Sequence, residues 1–197
     1  MPCGRYSPER PPPHPNGRGS TFPLSEDVAF AGESISTTRR VFSTSWASPL
    51  LLVDVNVLLY AHRHDLPQHP RCRSWLDSVV NGNSAFGMSS VVLSGFLRVV
   101  THPKIFDPPT PLEEAIAFAN MLSTHPHCVR FEPGPRHWQI FIDLCRAVGA
   151  RGNLVPDAWL AALAIESGSE WITTDGDYAR FAGLRWRNPL QTESQKR

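Results

Sequence analysis

The chain has 197 residues, with 19 basic and 18 acidic side chains, a net charge of +1, 41% hydrophobic residues, four cysteines and 19 prolines. That length holds one ordinary domain and a remainder, or two very small domains, and the apolar content is enough for a core, which excludes disorder throughout. No run approaches the roughly 20 consecutive apolar residues that span a bilayer. A near-neutral balance also excludes recognition of nucleic acid by an overwhelmingly basic surface, but a nuclease needs only a local basic rim.

All basic residues except Lys104 and Lys196 are arginine. Arginine suits bidentate phosphate contacts, and the same skew follows from GC-rich coding. Cys3, Cys72, Cys128 and Cys145 form no CxxC pair, so reduced thiols and a cytoplasmic setting fit better than a disulfide scaffold.

Seven of the 19 prolines fall before residue 49, with the run PERPPPHP at 8–15, and five arginines nearly cancel four acids there. Residues 1–49 read as a disordered Pro-rich tail without a signal-peptide layout, or as sequence upstream of a true start nearer Leu50. From Leu50 the pattern changes. LLVDV (51–55) reads as a buried parallel strand, NVLLYAHRH as helical, and 68–80 as an amphipathic helix. SAFGMSS (84–90) reads as a second strand and 91–102 as a helix stopped by Pro103. Residues 111–124 open with proline and two acids, which suit a helix start. A strand over 127–132 precedes a helix over 135–149 that ends on glycine. Residues 156–168 are apolar nearly all round, as in a buried helix; strands over 170–175 and 184–190 follow, and 191–197 is a polar tail. This alternation predicts an α/β fold over 50–190: three layers, with a parallel central sheet flanked by helices.

Ligands of such sheets gather at the carboxyl ends of the strands. Asp54 interrupts the first strand, Asp157 opens the buried helix, and Asp175 ends the strand WITT with Asp177 two residues on. Each acid alone has an ordinary use, as a helix cap or a turn former. Together they suggest more, because an unpaired charge in an apolar strand is costly and converging carboxylates repel one another without a cation. Hard oxygen ligands suit Mg²⁺ or Mn²⁺, which activates water and stabilises charge on a phosphoryl group. The residues themselves therefore point to a metal-dependent phosphodiesterase.

Four segments also carry a resemblance: VDVNVLLYA (53–61), RVVTHPKIF (98–106), GNLVPDAWLAALAIESG (152–168) and TTDGDYARFAGLRWRNPL (173–190). In this order they resemble VapC-type PIN-domain ribonuclease toxins, in the branch abundant in mycobacteria and other actinobacteria. The resemblance covers about 50–190 and nothing in the tail. It implies an Mg²⁺-dependent endoribonuclease acting on tRNA or rRNA, with Mn²⁺ able to substitute, silenced by a VapB-type antitoxin and usually dimeric, with no DNA binding by this chain alone. Position by position, it makes Asp54 the first metal ligand, Asp157 the second and Asp175 a further one, direct or through water. Asn56 and Thr173 match positions that brace the site, and Asp177 one that ties down the turn. One departure stands out. Most members carry a Glu on the helix after the second strand, whereas no acid lies between Ser89 and Val100 here, and Leu93 or Gly95 takes the place. A site one charge short, with only the neutral oxygen of Ser89, Ser90 or Ser94 to stand in, should bind metal in the millimolar range. A second reading follows from the same gap: a weak or inactive domain that binds RNA or an antitoxin.

His62, His64 and His69, and His125, His127 and Cys128, form clusters without four zinc ligands at structural spacing. They read as surface-loop histidines, and a metal-free ribonuclease with His62 or His64 as base is the alternative. Arg98, Arg136, Arg151, Arg180, Arg185 and Arg187 are candidates to face RNA, with no one of them singled out; Trp159 and Trp186 default to packing.

Overall fold

The computed structural model describes residues 49–191, so apart from Pro49 and Gln191 the two expected tails lie outside the described residues. In chain order the elements are β1 (Leu51–Val53), α1 (Val55–His62), α2 (His69–Val80), β2 (Phe86–Met88), α3 (Ser90–Val100), α4 (Leu112–Ser123), β3 (Cys128–Arg130), α5 (His137–Val148), α6 (Leu154–Ser167), β4 (Glu170–Ile172), a 3₁₀ turn (Gly176–Arg180) and β5 (Trp186–Arg187). The five strands form one sheet in the order β3-β2-β1-β4-β5, and each neighbouring pair is parallel.

That order fixes the layers. From β1 to β2 to β3 the chain steps one way across the sheet, through α1–α2 and α3–α4. From β3 it returns past β1 to β4 through α5–α6. Right-handed crossovers that reverse direction must lie on opposite faces. Helices α1–α4 therefore cover one face and α5–α6 the other, the three-layer α/β fold expected.

Local chemistry sets the helix ends. Ser89 caps α3, its hydroxyl accepting from Val91 N at 3.3 Å. Glu113 and Glu114 sit in the first turn of α4, against its free N–H groups. Helices α5 and α6 stop at Gly149 (φ 61°) and Gly168 (φ 68°), left-handed positions that glycine adopts without a Cβ penalty. Helix α6 starts two residues before the expected 156, because Pro156 falls in the first turn, where a missing N–H costs nothing. Ala158 and every residue from Leu160 to Ala164 are buried in it. They pack into one core with Leu52, Val53, Leu58, Phe86, Phe96, Trp171 and Ile172.

The strands are shorter than expected. The strand read over 51–55 ends at Val53, and those read over 84–90, 127–132, 170–175 and 184–190 shrink to 86–88, 128–130, 170–172 and 186–187. An apolar run does not mark where a strand passes into a buried helix: Val55 is apolar but already helical. So Asp54 does not interrupt a strand; it follows one. The histidines differ too. His62 closes α1 and packs against Phe96 and Phe118, at ring-centroid distances of 5.4 and 4.8 Å, and His69 starts α2 with its Nδ1 3.0 Å from the Tyr60 carbonyl. Both lie in the helices expected there, and what the structure corrects is their exposure: they are half-buried packing residues rather than surface-loop residues. Burial lowers the pKa of His62 from 6.5, with the Glu114 carboxylate pulling it back up. Among the described residues Cys72, Cys128 and Cys145 are free thiols, and no helix is long and apolar enough to cross a membrane.

Gly87, in the middle of β2, tests this packing. A Cβ there would lie 2.5 Å from the Phe131 ring and 3.0 Å from the Leu51 carbonyl oxygen. Gly87→Ala is expected to destabilise the protein by about 1–3 kcal/mol in denaturant melts, as overpacking does; an unchanged midpoint would show that the ring yields freely.

Candidate active site

The crevice of an open α/β sheet lies where consecutive connections leave in opposite directions, beyond the carboxyl ends of the strands. Here that point falls between β1 and β4, from which the chain runs to opposite edges. Asp54 follows β1 directly, and Thr173 follows β4. The Asp54 N–H continues the ladder to the Ile172 carbonyl at 2.9 Å, which sets the two residues side by side.

Asp54 is only 4% exposed and caps α1. Its Oδ1 accepts from Val55 N at 2.6 Å. Its Oδ2 accepts from Thr173 Oγ1 at 2.6 Å and from Asn56 Nδ2 at 2.8 Å. Asn56 Nδ2 also donates to Thr173 Oγ1 at 2.9 Å, while its Oδ1 accepts from Thr174 N at 3.2 Å. Thr173 Oγ1 accepts in turn from Asp175 N at 3.0 Å. The threonine hydroxyl is thereby committed as a donor to the acid, and the asparagine side chain is fixed at both ends.

Asp157 lies half-buried in the first turn of α6. Asp175 is exposed and caps the 3₁₀ turn, accepting from Asp177 N at 2.8 Å. Asp177 points away to Arg180 at 3.0 Å. Asp54, Asn56, Asp157 and Asp175 line one cleft of about 890 Å³ together with Tyr178; Thr173 and Asp177 do not line it.

The acids act on one another. Burial pushes the pKa of Asp54 up to about 7 against the hydrogen bonds from Thr173 and Val55, and the charges of Asp157 and Asp175 push it further. Asp157 rises to about 6, first through burial and then through the charges of Asp175 and Asp177, with the Tyr178 hydroxyl pulling it down. Burial and the three carboxylates raise Tyr178 itself far above the usual phenol range, so it stays a hydrogen-bond donor.

The donors suit a hard divalent cation. Asp54 Oδ2 already accepts two hydrogen bonds, but Oδ1 accepts one and keeps a lone pair free. Asp157 and Asp175 add carboxylate oxygens. A cation would offset the burial and the repulsion that together raise Asp54 and Asp157. Among the described residues no three His, Cys, Asp or Glu side chains stand gathered as a ready-made cluster, so binding an ion means drawing Asp157 and Asp175 toward the fixed Asp54.

Helix α3 supplies the facing wall, through Val91, Ser94, Gly95 and Arg98. Leu93 packs on the core instead. Gly95 therefore occupies the place where an acid was expected, and a Cβ on it would lie 2.9 Å from Val55 Cγ2. Sequence reasoning offered Ser94 only as one of three neutral oxygens in place of the missing acid, gave no role to Tyr178 and did not single out Arg98. Their signals were the spacing of 91, 94, 95 and 98, which falls on one helix side, and the tyrosine that ends TDGDY.

The PIN-domain family model matches residues 51–184. VapC ribonuclease Mb2897 of Mycobacterium bovis is 43% identical over 145 residues, 74% of this chain and 99% of that protein. Ribonuclease VapC25 of Mycobacterium tuberculosis is 40% identical over 140 residues, 71% of this chain and 99% of that protein. The chain belongs to the VapC group of PIN-domain proteins. Among solved structures, its fold is similar to that of VapBC2 from Rickettsia felis bound to a DNA fragment from their promoter (TM-score 0.52, 17% identity, 71% of this chain and 98% of that one). It is also similar to that of VapC20 from Mycobacterium tuberculosis, a sarcin-ricin loop cleaving toxin (TM-score 0.50, 18% identity, 68% of this chain and 98% of that one). Asp54, Asn56, Asp157, Asp175 and Arg98 all fall inside the matched PIN segment.

The raised acids make a stability prediction for this PIN domain. Asp54 gives up its proton near 3.8 in the unfolded chain and near about 7 in the fold. Between those values the folded state holds a proton that the unfolded state does not, so the contribution of Asp54 to stability falls as pH rises through that window. In EDTA, wild type should lose up to about 4 kcal/mol relative to Asp54→Asn between pH 4 and pH 8, and Mg²⁺ should restore part of it. Parallel pH profiles for the two proteins would contradict the shift.

Proposed function

We propose that this protein is a metal-dependent endoribonuclease and the toxin of a toxin–antitoxin pair, which hydrolyses phosphodiester bonds in tRNA or rRNA. The observation that carries the reading is the convergence of Asp54, Asp157 and Asp175 on one cleft at the switch point of the sheet. A buried acid and a half-buried one, both with raised proton affinity and with a third carboxylate beside them, are a poor structural device and a good cation site. The ribonuclease names of relatives 43% and 40% identical support it.

In this reading Asp54, Asp157 and Asp175 hold Mg²⁺, or Mn²⁺ in its place. When bound, the ion lowers the pKa of a water molecule and neutralises charge on the phosphoryl group. The protein's own part is positional. Thr173 and Asn56 lock the Asp54 carboxylate, so that it meets the substrate without reorganising. The Tyr178 hydroxyl stays protonated and steadies Asp157. Asp177 ties down the turn that presents Asp175. Because α3 brings no acid, the ion is held by three carboxylates and binds in the millimolar range.

The similar fold of VapBC2, a toxin–antitoxin complex, supports a VapB-type antitoxin as partner. The toxin works as a homodimer in the cytoplasm and leaves DNA binding to its partner.

Full-length protein freed of partner, incubated with total cellular RNA, should give discrete fragments with Mg²⁺ or Mn²⁺ and none with EDTA. Asp54→Ala and Asp157→Ala should each reduce cleavage roughly a hundredfold or more, the scale on which fixed electrostatic groups act. Fragments that persist in EDTA would remove the acids from the reaction. A folded protein that binds the ion and cuts nothing would leave a binding module.

A further inference from the structure

The acidic cleft has one wall of opposite sign. Val91, Ser94, Gly95 and Arg98 project from one side of α3 into it. Among the described residues, Arg63, Arg73, Arg146, Arg180 and Arg187 sit in ion pairs with carboxylates, and Arg98 enters none. Its guanidinium is exposed. A cation in the last turn of α3 gains from the free carbonyls there. That accounts for a positive charge but not for its facing the cleft.

Charge balance gives this position a use. Asp54, Asp157, Asp175 and Arg98 together leave two formal negative charges in the cleft, which one divalent cation offsets. Without Arg98 the loaded cleft would still repel an incoming phosphate. A guanidinium also presents paired N–H donors that match two phosphate oxygens, whereas an ammonium acts as a point charge. Ser94, one turn before Arg98 on the same wall, adds a neutral hydroxyl.

We propose that Arg98 is a substrate-positioning residue, whose guanidinium grips a backbone phosphate of single-stranded RNA and lays the strand against Asp54, Asp157 and Asp175. This rests on the ribonuclease reading and extends it to how the substrate is held. Neutralising one single-strand phosphate gives a definite dependence on salt.

The test uses full-length wild type, R98A and R98K, freed of partner, and a labelled mixed-sequence RNA of about a dozen nucleotides, with Ca²⁺ in place of Mg²⁺ so that the cleft is loaded, and with the strand checked by gel to be intact. Affinity is read by fluorescence anisotropy from about 50 to about 200 mM KCl. R98A should bind about five- to tenfold more weakly, and its slope of log affinity against log salt should fall by about 0.7. R98K should keep the wild-type slope and recover part of the affinity, since it retains the charge and loses the fork. Melting curves run alongside: a lower melting point for R98A with unchanged RNA affinity and slope would make Arg98 a helix-end residue and overturn the proposal. Weaker binding of an antitoxin peptide with unchanged RNA binding would assign the guanidinium to a protein carboxylate and overturn it too. If R98A loses affinity and slope as expected while wild type cuts no RNA with Mg²⁺ or Mn²⁺, the grip stands and the ribonuclease reading falls. If wild type cuts RNA and R98A leaves affinity, slope and KM unchanged, the grip alone falls.

Discussion

Everything in the cleft depends on keeping one carboxylate buried at the end of β1. Asp54 gains three hydrogen bonds and still holds its proton up to about 7. Donors from Thr173 and Asn56 make the burial tolerable without making it comfortable. A less satisfied carboxylate there would hold its proton still more tightly. The same side chain also caps α1. Its position is therefore fixed by the helix it starts as well as by the strand it ends.

The topology explains how residues 119 apart in sequence come within hydrogen-bonding distance. Adjacent parallel strands end on the same edge of a sheet, and β1 and β4 become neighbours because the α5–α6 connection returns across the opposite face. That return also delivers the start of α6, and with it Asp157, to the same edge. The turn after β4 supplies Asp175 within three residues of the strand end. The three acids thus arrive from three separate connections.

Much of this could be read from the residues, for identifiable reasons. Alternating apolar runs and amphipathic stretches foretell a parallel sheet with helices on both faces, since buried strands and covering helices are both consequences of what must leave water. Asp54 and Asp157 are conspicuous as acids in apolar company. Strand ends were not legible, because Val55 is as apolar inside α1 as it would be inside β1. The sequence therefore makes Asp54 an interruption, whereas it is a cap. Arg98 was one of six arginines until the helix side that carries it was known to face the acids. The inward packing of His62 is not legible either, because a polar type next to Arg63 and His64 hides the contacts of its ring with Phe96 and Phe118.

The close approach of α3 to α1 ties these observations together. Gly95 lets the two helices meet with Val55 Cγ2 only 2.9 Å from where its Cβ would be. A long acidic side chain at that position would have to displace the residue next to Asp54, disturbing the acid it was meant to assist. With that position closed, the charged side chain on the same wall lies one turn on, at Arg98, and it carries the opposite sign. The exchange changes more than the charge count. A carboxylate's contribution depends on its proton and on the ion it holds, while a guanidinium keeps its charge at every accessible pH. One wall of the cleft therefore carries a fixed positive charge, and the other carries Asp54 and Asp157, whose raised proton affinity a bound cation would lower.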